Sequence, residues 1–394
     1  MDQFYRTYLD TFVDRSGTHC EKWDACESVF GRADVIPMWV ADMDFPTVPA
    51  VRDALVNRAM HPIYGYTDNL AAEKQAEIGW LKRRYQMDVQ PDWILYSPGV
   101  IDSLFFCVRA LTKPNDRILI QPPVYGPFFR AVKTFDCTLV KNPLVHTQDG
   151  WQMDFDDLER QFAGGVRMMI LCNPHNPVGR VWRREELQRL VDLANQYHVI
   201  IVCDEIHADF NFGEIPHTRI LSLDGSENCV MLTSATKSFN LAGLRQSSII
   251  VKNDELRAKI YAERERAHAG TPNIFGAIAQ QTAYTCGDAW MDAVVEYIRE
   301  NRDYAYDFIR TRIPAIHCDK QSATYLMWLD LRALGGTHTE IQHKLVFDAG
   351  VGLNDGTDYG EEGAGWFRLN LATQRAKVQK TLENIENMVR GMGL

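Results

Sequence analysis

Short apolar runs alternate with segments of helical apolar spacing over residues 46–287 of this chain. Residues 101–111 and 185–197, which lie between such runs, place their apolar side chains at the spacing of a helix. Because buried strands separated by helices form parallel sheets, the pattern predicts an α/β fold with a mostly parallel central sheet and helices on both faces. The runs that predict strands are 93–97, 117–121, 166–172, 199–204, 230–233 and 248–251.

The pattern changes after this region. A long charged amphipathic helix is predicted over 290–312, followed by a strand, a helix, a glycine-rich loop and a final helix over 375–392. We therefore expect a large domain formed by residues 46–287 and a smaller α+β domain formed by residues 1–45 and 288–394.

Composition and charge exclude several classes of function. The chain has 394 residues, 46% of them hydrophobic and 24% charged, and its net charge of −10 without any basic stretch excludes a nucleic-acid partner. Its nine cysteines include no Cys-x-x-Cys pair, and the spacing of metal ligands is absent, so we expect neither a disulfide framework nor a metal site. The sequence has no apolar signal segment or membrane-spanning run, so we expect no membrane partner and a cytoplasmic location.

Polar residues follow four of the predicted strands at the point where each strand ends. A turn at Gly99 opens a helix after the first strand, Asn173 and Asp204 end two others, and Lys237 follows the fourth. Since ligands bind at the carboxyl ends of parallel strands, these residues are expected to meet in one site. Each of them alone has an ordinary explanation as a turn, a capping acid or a solvated lysine, so the prediction rests on their convergence.

Residues of these types suit the cofactor pyridoxal 5'-phosphate (PLP). The amine of Lys237 can hold an aldehyde as a Schiff base, and a buried carboxylate such as Asp204 can keep a pyridine nitrogen protonated. Backbone amides after Gly99, the hydroxyls near Lys237 and the guanidinium of Arg245 suit a phosphate group. The sequence therefore predicts a PLP enzyme that acts on a small-molecule amino acid.

These motifs resemble those of the fold-type I PLP enzymes of the aspartate aminotransferase superfamily, over nearly the whole chain. The resemblance implies a large PLP-binding domain with a smaller α+β domain. It implies that Lys237, Asp204 and Tyr125 are catalytic, with Asp204 at the pyridine nitrogen and Tyr125 stacked on the ring. The other cofactor-binding residues that it implies are Gly99, Val100, Ile101, Asn173, His207, Ser234, Arg245 and Tyr66.

The same resemblance implies a homodimer with a shared active site, because Tyr66 resembles a tyrosine that reaches the cofactor phosphate of the neighbouring subunit. Arg368 matches the arginine that binds the α-carboxylate of the substrate. Ala41 and Tyr64 fall at positions that the resemblance assigns to substrate binding.

Three stretches narrow the resemblance to the cystathionine β-lyase (C-S lyase) group, which is typified by the bacterial MalY and PatB proteins. They are residues 14–24, 37–45 and 204–209. In the third stretch, His207 takes the place of a tyrosine that many aminotransferases carry there, and an imidazole donor near the phenolic oxygen would alter the acidity of the cofactor. Without the resemblance, His207 is equally well explained as a hydrogen-bonded core histidine.

The resemblance implies α,β-elimination from L-cystathionine or a related L-cysteine S-conjugate, which yields a thiol, pyruvate and ammonia and belongs to methionine biosynthesis. Lys237 and Tyr125 are both candidates to protonate the leaving sulfur. The alternative is a class I/II aminotransferase, which needs the same residues. A regulatory protein that keeps PLP as a structural ligand is a third hypothesis.

Aromatic residues of the first 64 positions have two explanations. Trp39, Phe45 and Tyr64 line an apolar substrate entrance or pack the N-terminal segment, and the sequence leaves both open. For Trp23 the packing explanation is favoured.

Overall fold

A computed structural model describes residues 2–68 and 70–393. Its helices are α1 (Gln3–Asp10), α2 (Glu21–Asp24), α3 (Cys26–Phe30), α4 (Pro49–Met60), α5 (Ala71–Tyr85), α6 (Val100–Leu111), α7 (Pro127–Thr134), α8 (Phe155–Ala163), α9 (Arg184–Gln196), α10 (Ala235–Ser238), α11 (Asp254–Arg266), α12 (Ile274–Cys286), α13 (Asp288–Arg312), α14 (His338–Phe347) and α15 (Arg375–Gly391). Its strands are β1 (Ile36–Pro37), β2 (Ile94–Ser97), β3 (Arg117–Ile120), β4 (Thr138–Lys141), β5 (Val145–Thr147), β6 (Gly150–Gln152), β7 (Val166–Cys172), β8 (Ile200–Asp204), β9 (Cys229–Thr233), β10 (Ser247–Val251), β11 (His317–Cys318), β12 (Leu326–Asp330), β13 (Val351–Gly352), β14 (Asn354–Asp355) and β15 (Trp366–Asn370).

The described residues form two compact units. The larger unit contains Thr47–His175 and Val181–Met291, and the smaller unit contains the chain up to Pro46, the short segment Asn176–Arg180 and the chain from Asp292. No helix within residues 2–68 and 70–393 is long and apolar enough to cross a membrane.

The larger unit is built on a sheet with the strand order β2–β10–β9–β8–β7–β3–β4. In that described sheet β10 alone runs opposite to the other six strands, so the predicted α/β class with a mostly parallel sheet is confirmed. Strands β2, β8, β9 and β10 are buried throughout, because helices cover both faces of the sheet.

Helix α6 shows why the intervening segments fold as predicted. Its buried residues include Val100, Leu104, Cys107, Val108 and Leu111, which recur at the spacing of one helical face and pack against the sheet. Helix α9 buries the same kind of stripe, and its N-terminus is fixed by the Glu186 carboxylate, which accepts the backbone N–H of Arg183 at 2.8 Å. Burial of these faces, rather than intrinsic propensity, stabilises both helices.

The smaller unit has its own sheet and its own core. The sheet order is β11–β12–β15–β14, with antiparallel pairs that place Trp328 and Asn354 on either side of Arg368. Apolar residues of this sheet and of α13, α14 and α15 form a buried cluster that includes Leu329, Phe367 and Leu382. Arg368 is therefore a charged residue on a central strand of a buried sheet, which requires specific partners for its guanidinium group.

Candidate active site

Asp204 ends β8 and is buried at the carboxyl edge of the central sheet. It lies in register with Cys172 on β7 and Leu232 on β9, and its Oδ1 accepts the backbone N–H of Ile206 at 3.0 Å. Burial raises the pKa of Asp204 to about 6, and the positive charge of Lys237 opposes this shift. A cationic pyridine nitrogen next to this carboxyl group would favour its charged form further.

Lys237 lies on α10, a single helical turn that follows β9. Ser234 caps this turn, because its Oγ accepts the backbone N–H of Thr236 at 2.9 Å. The same Oγ donates to the backbone oxygen of Gln246 at 2.6 Å, which ties the lysine turn to the start of β10. Since β8 and β9 are parallel neighbours, the structure brings the predicted pair Asp204 and Lys237 to adjacent strand ends.

Asp209 is a residue near this site whose role the sequence did not reveal. Its carboxylate is 6% exposed and accepts hydrogen bonds from Ser238 Oγ, from Tyr85 Oη and, at 3.2 Å, from Trp80 Nε1. Because Ser238 is adjacent to Lys237, Asp209 holds the lysine turn against helix α5. The sequence marked Asp209 only as the last residue of the stretch 204–209, without a role.

Arg219 and Glu205 form a buried ion pair behind the same turn. Arg219 Nη1 lies 3.1 Å from Glu205 Oε2, and the guanidinium carbon lies 3.9 Å from the centre of the Tyr85 ring. Glu205 Oε1 also accepts the backbone N–H of Ile220 at 2.7 Å. Burial opposes the charge of Glu205, but His217, whose Nε2 lies 3.7 Å from Glu205 Oε2, and the charge of Arg219 keep the pKa of Glu205 below its usual value. This pair stabilises the loop that follows Asp204.

The predicted phosphate-binding residues Gly99, Val100, Ile101 and Arg245 come together at the N-terminus of α6. Gly99 precedes the first helical residue, Val100, so the backbone N–H groups of the first turn, which have no acceptor within the helix, could bind an anion. Arg245 reaches this turn, because its Nη2 donates to Asp102 Oδ2 at 2.9 Å.

Asn173 provides the most direct test of whether PLP fits. Its Nδ2 donates to the backbone oxygen of Thr218 at 3.1 Å, which leaves Oδ1 buried with no hydrogen-bond partner among residues 2–68 and 70–393. A buried acceptor of this kind is costly unless a ligand supplies a donor. The ring hydroxyl of PLP is such a donor, and with Asp204 for the ring nitrogen, Lys237 for the aldehyde and the α6 N-terminus for the phosphate, the residues present fit the cofactor.

The remaining cofactor residues lie in the larger unit as well. Tyr125 follows β3 and is half-buried, with its ring edge-on to Phe128 at 6.2 Å, and His207 is buried in the turn after Asp204. Tyr66 is fully exposed, and Tyr64 is 56% exposed with its Oη donating to the backbone oxygen of Ala59 at 2.6 Å. No group of three or more His, Cys, Asp or Glu side chains in the described part of the chain is arranged to hold a metal ion.

Arg368 is the centre of a second group of predicted residues, in the smaller unit. Its Nη1 donates to Asn176 Oδ1 at 3.1 Å, its Nη2 donates to the backbone oxygen of Trp39 at 2.9 Å, and the Tyr359 ring lies 5.2 Å from its guanidinium carbon. Its Nε is buried and has no hydrogen-bond partner within the residues that the structure describes. The guanidinium group therefore keeps an unused donor, as an anion site requires.

The backbone around Trp39 is held in place by neighbouring side chains. Asn370 Nδ2 donates to the backbone oxygens of Val40 at 2.6 Å and Asp42 at 2.7 Å, and Tyr325 Oη donates to the backbone oxygen of Ala41 at 2.9 Å. These contacts order the segment that carries the predicted substrate residue Ala41.

Two of the aromatic residues are structural. Phe45 is 1% exposed and packs edge-on against Tyr297 at 5.0 Å, so it does not line an entrance. Trp23 donates through Nε1 to Asp44 Oδ1 at 3.3 Å and lies under the Lys377 ammonium, which agrees with the packing explanation.

Comparison with known proteins finds relatives of one family along almost the whole chain. The sequence model of the family described as aminotransferase class I and II matches residues 33–385. The chain is 39% identical over 381 residues to cystathionine beta-lyase PatB of Bacillus subtilis (strain 168), and the match covers 96% of this chain and 98% of PatB.

Solved structures agree with this result. The chain superimposes with a TM-score of 0.94 and 36% identity on a PLP-bound putative aminotransferase from Clostridium difficile 630, over 97% of this chain and 99% of that one. It superimposes with a TM-score of 0.93 and 31% identity on cystalysin from Treponema denticola, which contains a pyridoxal 5'-phosphate cofactor, over 97% and 98% of the two chains. With the site geometry described above, these matches show that the chain belongs to the aminotransferase class I and II family.

Proposed function

We propose that the protein is a PLP-dependent carbon–sulfur β-lyase that cleaves L-cystathionine or a related L-cysteine S-conjugate to a thiol, pyruvate and ammonia. The observation that carries this proposal is the 39% identity to PatB, a cystathionine beta-lyase, over 96% of the chain. The buried Asp204 beside the strand that leads to Lys237, and the unpartnered Asn173 Oδ1 within the described residues, support the cofactor.

When bound, PLP supplies an electron sink for negative charge that develops at the α-carbon of an attached amino acid. Asp204 would hold a proton at the pyridine nitrogen and so strengthen that sink. This role requires a charged carboxylate, and the positive charge of Lys237 favours the charged form of Asp204. The Lys237 amine would remove the α-proton of the substrate, and the bond between Cβ and sulfur would then break. Lys237 and Tyr125 are the candidates to protonate the departing thiolate.

Arg368 would bind the α-carboxylate of the amino-acid substrate. Its guanidinium group is oriented by Asn176 and by the backbone oxygen of Trp39, so little side-chain freedom is lost on binding. One buried N–H without a partner among the described residues is available for a carboxylate oxygen. The same arrangement would serve any α-amino acid, so it supports the substrate class and leaves the choice of thioether to other residues.

The aminotransferase reaction is the alternative, because a PLP-bound putative aminotransferase shares 36% identity with this chain. The experiment that separates the two uses purified, PLP-loaded protein and L-cystathionine without any keto acid. Sustained release of pyruvate with one thiol per pyruvate supports elimination. Amino transfer that begins only when a keto acid is added, with no pyruvate before, would replace the lyase proposal with the aminotransferase. Serine in place of cystathionine is the matched control, because its hydroxyl is a poorer leaving group.

We also propose that the active enzyme is a homodimer with a shared active site. The end of α4 and the segment that follows it expose apolar side chains: Met60 is 77% exposed, Ile63 68% and Tyr64 56%, and Tyr66 is fully exposed. A patch of this kind on one segment is typical of an interface. Light scattering that gives the mass of one chain at assay concentrations would refute this. The cytoplasmic location and a place in methionine biosynthesis remain predictions.

A further inference from the structure

Two buried glutamates, Glu73 and Glu77, lie one turn apart on α5 in the larger unit. Their exposed fractions are 5% and 1%, although neither forms a salt bridge within residues 2–68 and 70–393 and neither belongs to the proposed reaction. Carboxyl groups at such depth need compensating hydrogen bonds, or else they bind a proton. Their surroundings therefore decide what they do.

The contacts around Glu73 contain too many acceptors for an ionised carboxylate. Gln280 Nε2 at 3.0 Å and Gln246 Nε2 both donate to Glu73 Oε1. Glu73 Oε2, Gln246 Oε1 and Gln280 Oε1 are all buried acceptors without a hydrogen-bond partner in the described part of the chain. A proton on Glu73 would turn Oε2 from an unpartnered acceptor into a donor, in a group that has buried acceptors and lacks a donor for them.

The charged and titratable groups around Glu73 favour that proton. Burial raises the pKa of Glu73 to about 8, and the like charge of Glu77 adds to this shift, whereas Gln246 and Lys74 oppose it. The groups that face Glu73 are the neutral amides of Gln246, directly before β10, and Gln280 of α12, and the neutral phenol of Tyr96 of β2.

The two ionisable neighbours of Glu73 on α5, Glu77 and Lys74, have other partners as well. Burial raises the pKa of Glu77 to about 7, and Ser248 Oγ, which donates to Glu77 Oε2 at 2.7 Å, opposes the shift together with Arg219 and Lys74. The ammonium group of Lys74 also interacts with Arg264 of α11 and with Asp92 in the turn before β2. Lys74 is thus shared among several groups and does not hold Glu73 in its charged form.

Gln246 connects this acid to the proposed phosphate site. Its backbone oxygen accepts Ser234 Oγ at 2.6 Å, and Ser234 caps the turn that carries Lys237. The next residue, Ser247, donates through Oγ to the backbone oxygen of Ser97 at 3.0 Å, directly before the turn at Gly99. The start of β10 therefore joins both sides of the phosphate site, and Glu73 fixes it from behind through the side chain of Gln246.

We propose that Glu73 is a positioning residue that, as a neutral acid, orients Gln246 and thereby the phosphate-binding turn at Ser234, and that its ionisation loosens the hold on the cofactor phosphate. This inference rests on the proposed PLP function. The affinity of the protein for PLP would then depend on the proton of Glu73, a residue that takes no part in the chemical step.

The test measures the dissociation constant of PLP from the holoenzyme between about pH 6.5 and pH 9.5, for the natural chain and for Glu73→Gln. Gln keeps the shape and cannot ionise. We expect the two proteins to bind PLP with equal affinity at the acidic end. Above a pH of about 8 the affinity of the natural chain for PLP should fall by up to about tenfold per pH unit relative to that of Glu73→Gln. Because the cofactor itself titrates in both proteins, only the ratio of the two constants is interpreted. Parallel profiles would overturn the inference.

Glu77→Gln is the matched control. Because the charge of Glu77 raises the pKa of Glu73, its removal should move the onset of the affinity loss to lower pH without abolishing it. An unchanged onset would contradict the proposed coupling. Pyridoxal without the phosphate should show the same ratio of affinities at every pH, and a pH-dependent ratio for pyridoxal would place the effect outside the phosphate site.

A second measurement separates this inference from the proposed function. The folded-state pKa of Glu73 is raised above the unfolded one, so the stability that its neutral form contributes is present below about pH 4.5 and is lost as the pH rises to about 8. Cofactor-free Glu73→Gln should therefore have a higher urea midpoint than the natural chain at about pH 9 and an equal one at about pH 5. If this holds but no PLP binds at any pH, the proposed function fails together with the link to the phosphate; if PLP binds with parallel profiles, only the inference fails.

Discussion

Replacement of Asp44 by Asn should strongly destabilise the smaller unit. Asp44 lies at the centre of an acid–base cluster that consists of Arg15, Lys22, Asp42, Asp44 and Lys377. Its Oδ1 lies 2.8 Å from Arg15 Nη1 and 3.2 Å from Lys22 Nζ, and its Oδ2 lies 2.9 Å from Lys377 Nζ. The side chains of Asp44 and Lys22 are 4% and 0% exposed, so the change would leave buried cations with fewer counter-charges.

The expected size of the effect follows from this burial. Removal of one partner from a buried ion pair costs about 3–5 kcal/mol, because the other charge stays in the interior without compensation. Asp42 does not replace Asp44, since it lies 3.5 Å from Lys22 Nζ and is already bonded to Arg15. Asp34→Asn is the matched control: Asp34 is 74% exposed and pairs with Arg32 at the surface, so its loss should change stability little.

The assay is urea unfolding at about pH 7, combined with hydrogen exchange of the segment 14–45 by mass spectrometry. We expect a lower midpoint and faster exchange in Asp44→Asn than in Asp34→Asn. The charges of Lys22 and Lys377 hold the pKa of Asp44 well below its usual value against the opposing effect of burial. Its contribution is therefore present above a pH of about 3.8 and is lost as the pH falls further. Equal, small effects of both substitutions would refute the reasoning.

Two further predictions concern the proposed reaction. Asp204→Asn removes the charge that would hold the pyridinium proton, so kcat should fall by about 10²–10⁴-fold while PLP stays bound, as absorbance and steady-state kinetics would report; unchanged kcat would exclude the role. Arg368→Lys replaces a planar group that Asn176 orients by a single ammonium, so kcat/KM should fall by about 10–100-fold through KM, with cofactor affinity unchanged; loss of PLP would show that Arg368 serves the cofactor instead.

Most of the central sheet could be predicted because its strands are continuous apolar runs. The predicted strand over 166–172 and the strand β7 have the same bounds, since both faces of β7 pack against other elements and nearly every side chain is apolar. β4 was missed for the opposite reason. It is an edge strand with Thr138 and Leu139 exposed, so its sequence has no buried run to recognise.

The proposed cofactor residues could be placed together because topology alone brings strand ends to one edge of a parallel sheet. Asp204 and Lys237 are an example. Asp204 ends β8 and Lys237 follows β9, and the pairing of these two parallel strands alone places the two residues at the same edge of the sheet. The partners of those residues could not be predicted in the same way. Asn176 and Arg368 are 192 residues apart in sequence, and Glu73 and Gln280 are 207 apart. Such pairs depend on side-chain packing between distant segments, which a periodic pattern does not encode.

The most direct test of the central claim is to reduce the PLP-loaded protein with borohydride and map the modified residue by peptide mass spectrometry. Reduction converts a Schiff base between the cofactor and a lysine into a stable secondary amine. The account predicts a phosphopyridoxyl group on the peptide that contains Lys237, and no labelling of that peptide in Lys237→Ala. A label on another lysine, or full turnover of cystathionine by Lys237→Ala, would contradict the account.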